Sequence, residues 1–341
     1  MRLFLLSVLA TGLIGAGLCD AQAVGTISTD RVPDDLNGSN FTYPFPVHVF
    51  NFVGQNQALE MAFMDVKPTC KPNGKTAVLL HGKNFCGATW TTTIRVLAGK
   101  GYRVIAPDQV GFCKSRKPVD YQFSLRQLAW NTRGLLDSLN VGNVTVIGHS
   151  FGGMLTTMFG LQYPETVDEL VLVDAVGMED YTQKGVPYIS IDQSRDQEAS
   201  STYQSIKSYE QQFYYVGQWD EDYDTWVRML VNIYYGSQRE AYIHCQAKIV
   251  DLVLTQPIAQ YFDDLKPRTL IIVGNKDRTA IGAQWAPPAV AEKLGRFDLL
   301  GPEVSARIPK GDLISFPNEG HAPQISVPVE FHEALLGWLS N

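Results

Sequence analysis

Three residues of different chemistry stand at the ends of three apolar runs in this chain: Ser150 in VTVIGHSFGG, Asp277 in TLIIVGNKD and His321 in DLISFPNEGH. A serine hydroxyl is a weak nucleophile until an adjacent imidazole accepts its proton. A carboxylate on the other ring nitrogen would hold the imidazole in the right tautomer and stabilise the cation, without taking the proton itself. Together the three side chains would support acyl transfer. Gly148 and Gly152 bracket Ser150, as a tight strand-to-helix turn with a strained, exposed apex requires. The same spacing also serves a purely structural glycine turn, so the order and placement of all three residues carry the argument. Asp174, after ELVLV, is a competing acid.

The elements that must position these groups are legible from about Val47 onward. VHVFNFV and LEMAFMDV alternate about a turn at Gly54 to Asn56, as an antiparallel pair at a sheet edge would. From Thr76 the runs TAVLLH, YRVIAPD, NVTVIGHS, ELVLVDA and RTLIIVGNKD are short and apolar. Helix-type segments at Trp90 to Ala98, Leu125 to Leu139 and Met154 to Leu161 fall between most of them, DLISFP supplies a last strand, and VPVEFHEALLGWLSN a closing helix. The pattern predicts a mostly parallel, eight-stranded α/β sheet covered on both faces. Residues 47–175 and 266–341 form this core. Residues 176–265 lack a clear strand but are dense in aromatics, among them Tyr181, Tyr209, Tyr214, Tyr215, Trp219 and Tyr234, which predicts a helical cap inserted after the sixth strand. Residues 24–46 read as a polar, turn-rich arm. Ligands of open parallel sheets bind beyond the carboxyl ends of the strands, where HGKNFCG, PDQVGFCKS, Ser150, Asp277 and His321 all lie.

On these pieces the chain resembles the α/β-hydrolase superfamily: HG in LLHGKNF, DQVGFCKS, GHSFGG, VGNKD and GHAP follow strands in the order seen there. The closest sub-pattern is the group of esterases, C–C hydrolases and cofactorless haloperoxidases. The resemblance implies Ser150 as nucleophile, Asp277 as triad acid, His321 as general base, and an oxyanion hole formed by the backbone N–H groups of Phe151 and Lys83. It places His81, Asn84 and His149 around the substrate, with His81 also read as orienting the oxyanion turn and His149 as an occupant of the serine turn. Two departures stand out. Lys83 and Asn84 follow HG where Pro or Gly is common, so a cation able to pair a carboxylate or phenolate stands near the mouth. Cys113 replaces a usual glycine, and Cys86 lies in the neighbouring strand-end loop; a disulfide between them is one hypothesis, while the sequence leaves the pairing among Cys70, Cys86, Cys113 and Cys245 open.

The composition excludes several function classes. The chain has 341 residues, 45% hydrophobic and 18% charged, with a formal net charge of −7 and no basic run, which argues against nucleic acid as a partner. Residues 1–23 combine a basic start, an apolar run from Leu3 to Cys19 and Ala21-Gln22-Ala23, the pattern of a signal peptide cleaved after Ala23. The expected location is secreted or periplasmic, with no stable membrane anchor. The mature chain keeps Cys70, Cys86, Cys113 and Cys245, without zinc-ligand spacing, so neither metal nor cofactor is expected. Sequons at Asn37, Asn40 and Asn143 would accept glycans in a source with that machinery.

The expected function is hydrolysis of a carboxylic ester or lactone of a small, apolar or aromatic molecule through an acyl-enzyme. A serine at the turn, not an aspartate, removes chemistries that need an alkyl-ester intermediate. C–C bond hydrolysis, aminopeptidase action and a non-turnover binding role on the same fold are the alternatives. Acids such as Glu210, Asp220, Glu221, Asp222 and Asp224, which would suit an aminopeptidase, read as a solvated run.

Overall fold

The structure is a computed structural model that describes residues 25–28 and 30–341; the signal-peptide reading of residues 1–23 lies outside them. Among the described residues nine strands form one sheet: β1 (Gly25–Ser28), β2 (Val47–Gly54), β3 (Gln57–Val66), β4 (Thr76–Leu80), β5 (Arg103–Pro107), β6 (Val144–His149), β7 (Val167–Val173), β8 (Arg268–Gly274) and β9 (Gly311–Phe316), in the order β1-β2-β3-β5-β4-β6-β7-β8-β9. The six strands from β5 to β9 in that order run parallel, and β1, β2 and β3 add on antiparallel. The ninth strand comes from the arm, where GTIS pairs with the outer edge of β2. The β2–β3 hairpin turns through Gln55 and Asn56, both at positive φ (51° and 58°), the type I′ geometry that matches the twist of paired strands.

Alternation along the central strands sorts their side chains onto two faces. Val78, Leu80, Val146, Leu172 and Val273 enter one apolar cluster with α2 (Leu125–Ser138), α3 (Phe151–Gln162) and the segment after β7. Leu79, Ala106, Ile147, Val173 and Ile272 enter the other, under α1 (Thr91–Gly99) and the closing helix. Because both faces are covered, the strands are buried almost throughout, which is why they read as unbroken apolar runs.

Between β7 and β8 the described chain contains no strand. It runs through α4 (Ile191–Ala199), α5 (Tyr203–Tyr209), a π-helical turn (Glu210–Tyr214), α6 (Asp224–Tyr234) and α7 (Arg239–Thr255). Tyr214 and Tyr215 are buried against Phe85 and Ala322 of the sheet ends, whereas Tyr188 and Tyr235 are exposed. After β8 come α8 (Pro288–Ala291), α9 (Phe297–Arg307), then β9, α10 (Pro323–Ser326) and α11 (Pro328–Leu339).

The arm is fastened to the loop after β5. Lys114 and Lys117 are buried and donate to it, Lys114 to Ser39 Oγ (3.1 Å) and the Asp34 carbonyl, Lys117 to the Asn37 carbonyl (2.7 Å) as well as to the Cys113 and Ser115 carbonyls of its own loop. Burial lowers the Lys117 ammonium to about 8. The side-chain amide of Asn37 donates to Glu60 and to the Lys114 carbonyl, while Asn40 and Asn143 are exposed. No helix among the described residues is long and apolar enough to cross a membrane.

Candidate active site

Ser150 stands alone between the last residue of β6 and the first of α3, with φ 56° and ψ −119°. A non-glycine residue held there costs about 1–3 kcal/mol. The surrounding chain enforces it: Ser150 N–H donates to Val173 O (2.9 Å) and Ser150 O accepts from Gly153 N–H (2.9 Å). A Cβ on Gly148 would stand 2.1 Å from Gly152 O, and one on Gly152 2.1 Å from Leu80 O. The helix therefore starts as close to the sheet as two backbones allow, and it starts at Phe151, three residues before the sequence pattern suggests.

Asp277 and His321 are both fully buried, and His321 Nδ1 lies 2.6 Å from Asp277 Oδ2. A carboxylate only accepts, so Nδ1 carries the proton and Nε2 keeps its lone pair. That Nε2 is buried and has no hydrogen-bond partner among the described residues. Asp277 Oδ1 accepts from Thr279 N–H (2.7 Å), and His321 N–H donates to Phe213 O of the π-helical turn (3.1 Å). Its imidazole lies between the rings of Tyr214 (centroids 4.9 Å) and His149 (4.8 Å). Asp174 is excluded from this contact. Its Oδ1 accepts from Gly274 N–H (2.8 Å), and burial first and Asp277 second push its carboxyl well above the usual range.

The structure divides the other expected residues. Lys83, Asn84 and Ser150 line a cavity of about 220 Å³ with Tyr209, Tyr214 and Trp285. His81 and His149 do not line it, and this corrects their reading as substrate-binding groups. His81 Nε2 accepts from Gln109 N–H (3.0 Å) and its Nδ1 donates to Gly82 O (2.9 Å), while His149 Nε2 donates to His321 O (2.6 Å). Burial depresses both imidazoles, so each is a neutral brace behind the wall. Phe151 is buried, and its N–H, at the first position of α3, belongs to the helical amides that lack an intrahelical acceptor.

The loop carrying Lys83 is tied down on its far side. Cys86 and Cys113 are disulfide-bonded with Cα atoms 5.9 Å apart, which resolves the pairing that the sequence leaves open, and Cys70 and Cys245 are free. Asp108 accepts from Gly87 N–H (2.8 Å), Lys114 N–H (3.0 Å) and Tyr43 O–H (2.6 Å), joining both loops to the arm. Cys86, Cys113 and Asp108 lie close enough together to suggest metal ligands, but the disulfide takes both thiols.

Two features escape the sequence pattern. Glu198 of α4 lines the cavity, its carboxylate accepting from Lys83 Nζ (2.7 Å) and from Tyr234 O–H. It sits in IDQSRDQEAS, which carries no sign of burial. Glu210 is fully buried with neither oxygen partnered among the described residues, and burial pushes its carboxyl up to about 8. This corrects its place in a solvated run; Asp220, Glu221 and Asp222 are exposed as expected.

Comparison with known proteins settles the family. The sequence profile of the alpha/beta hydrolase fold matches residues 76–326. The chain belongs to the alpha/beta hydrolase family. A crystal structure of a probable hydrolytic enzyme from Pseudomonas aeruginosa PAO1 is 46% identical, with a TM-score of 0.87 over 90% of this chain and 99% of that one. A 2-hydroxy-6-oxo-2,4-heptadienoate hydrolase of Pseudomonas putida is 36% identical over 108 residues, which is 31% of this chain and 39% of that protein. A putative carbamate hydrolase of Serratia proteamaculans is 26% identical over 287 residues, 79% of this chain and 92% of that protein. The relatives are thus hydrolases of more than one kind of bond.

Proposed function

We propose that this alpha/beta hydrolase is a secreted serine hydrolase that cleaves a carboxylic ester or lactone through Ser150, His321 and Asp277. The observation that carries the reading is the 2.6 Å contact of His321 with Asp277, which leaves Nε2 without a partner among the described residues, while Ser150 lines the cavity from a strained turn. Ser150 Oγ attacks the carbonyl carbon while His321 Nε2 takes the hydroxyl proton. The resulting oxyanion is held by the Phe151 and Lys83 amides. Collapse breaks the C–O bond, and His321 returns its proton to the leaving alkoxide. Water, deprotonated by the same Nε2, then releases the acid and restores Ser150. One amide donor to such an oxyanion contributes roughly 3 kcal/mol.

Ser150 makes no hydrogen bond to His321 Nε2, and such contacts commonly tighten only when substrate is bound. Residues 176–265 act as the cap that closes the cavity. Export after Ala23 is supported by the leader pattern and by the Cys86–Cys113 disulfide, which persists in oxidising compartments. A second reading, hydrolysis of a C–C bond beside a ketone, is favoured by the Pseudomonas putida relative and uses the same residues. The test is steady-state hydrolysis of a chain-length series of p-nitrophenyl esters by the wild type and Ser150→Ala. The proposal expects multiple turnovers that the variant abolishes. A single burst equal to the protein concentration, or turnover that survives the substitution, would contradict it.

A further inference from the structure

The cavity contains an ion pair that the proposed chemistry does not use. Lys83 Nζ and Glu198 Oε1 are 2.7 Å apart, with side chains 15% and 12% exposed. They meet beside Ile206, Leu230 and Val250 of the same cavity. Both charges are largely withdrawn from water there, which is unfavourable unless each is well paired, so the arrangement calls for a reason.

We infer that this cavity selects esters carrying a second, anionic group, and that the Lys83 ammonium is the group that reads it. The inference rests on the hydrolase reading of Ser150 and adds to it the charge of the substrate. Two observations support it. The first is position. Gly82, the residue before Lys83, packs against Ser150, where a Cβ would lie 3.0 Å from Ser150 Cβ. Lys83 and Ser150 line the same cavity, and the Lys83 ammonium reaches Glu198 of α4. The second is the hydrogen-bond inventory. Each oxygen of Glu198 already accepts a bond, one from Lys83 and one from Tyr234. Lys83 has three N–H protons and, among the described residues, directs one of them at a partner. The ammonium therefore keeps donors to spare, whereas Glu198 already accepts at both oxygens. Glu198 holds the ammonium in place and balances its charge, and a bound carboxylate shares the same cation.

The test is isothermal titration of the Ser150→Ala protein with three methyl esters of similar length: monomethyl glutarate (anionic), methyl pentanoate (neutral) and methyl 5-aminopentanoate (cationic). The anionic ester is expected to bind at least about tenfold more tightly than the neutral one, as a charge-assisted hydrogen bond in a secluded site allows. Adding Lys83→Met should abolish that difference, and adding Glu198→Gln, which frees the ammonium, should widen it. Equal binding of the anionic and neutral esters would overturn the inference, and tighter binding of the amine would assign recognition to Glu198 instead. Hydrolysis of the same esters by the wild type separates the two claims. Turnover without charge preference sinks this inference alone, and charge-selective binding without turnover sinks the hydrolase reading alone.

Discussion

Glu210 offers a perturbation whose size follows from its surroundings. Its carboxyl is fully buried in the π-helical turn with neither oxygen partnered among the described residues, near the hydroxyls of Tyr209, Tyr214 and Tyr215. Burial raises it from an ordinary 4.5 to about 8. Between those two values the folded protein holds a proton that the unfolded chain has lost, so stability falls as pH rises. At 1.36 kcal/mol per unit, the 3.5-unit difference (8 minus 4.5) corresponds to about 5 kcal/mol in all. About 1 kcal/mol of that is lost by pH 5 and about 4 by pH 8. Glu210→Gln keeps the shape and cannot ionise. Its buried amide adds an offset that does not vary with pH, and all other titrating groups cancel in the comparison. Urea denaturation of both proteins at pH 5 and pH 8 should show the variant gaining roughly 3 kcal/mol on the wild type over that interval. The same gap at both pH values would refute the reasoning.

Four variants probe the rest of the site. Gly152→Ala places a Cβ 2.1 Å from the Leu80 carbonyl, where only backbone movement can relieve it; a loss of about 3 kcal/mol in chemical denaturation is expected. Asp277→Asn presents a donor or an uncharged acceptor to His321 Nδ1 and should lower kcat about 10⁴-fold with little change in KM. Asp174→Asn, replacing a carboxyl that makes no contact with His321 and that burial pushes well above the usual range, should change kcat far less. Replacing Cys86 and Cys113 together by serine opens a loop of sequence separation 27 and should cost about 3–4 kcal/mol, read from the urea midpoint.

The central sheet is legible in the sequence because burial on both faces leaves an unmistakable apolar run, and strand order then places Ser150, Asp277 and His321 at one end. What stays hidden has local causes. GTIS is too short and too polar to announce β1, and its pairing depends on β2. Helix α9 contains Gly301 and Pro302, both poor in helix interiors, and forms because Phe297, Leu300 and Val304 are buried against the sheet. The start of α3 is masked by Gly152 and Gly153, whose helicity is set by close packing rather than propensity. Glu198 and Glu210 look like surface acids because a single chain does not reveal which partner will cover a charge. His81 and His149 share a residue type with His321, and what sets His321 apart is its contact with the buried Asp277 carboxylate, where the other two rings bond to backbone groups.

The most direct test of the central claim is labelling of the native protein with a fluorophosphonate, followed by mass spectrometry of the modified peptide. The account predicts a single adduct on Ser150 that is absent from Ser150→Ala and strongly slowed in His321→Ala. No adduct on Ser150, or an adduct formed at an undiminished rate without His321, would contradict the assignment of Ser150 and His321 as nucleophile and base.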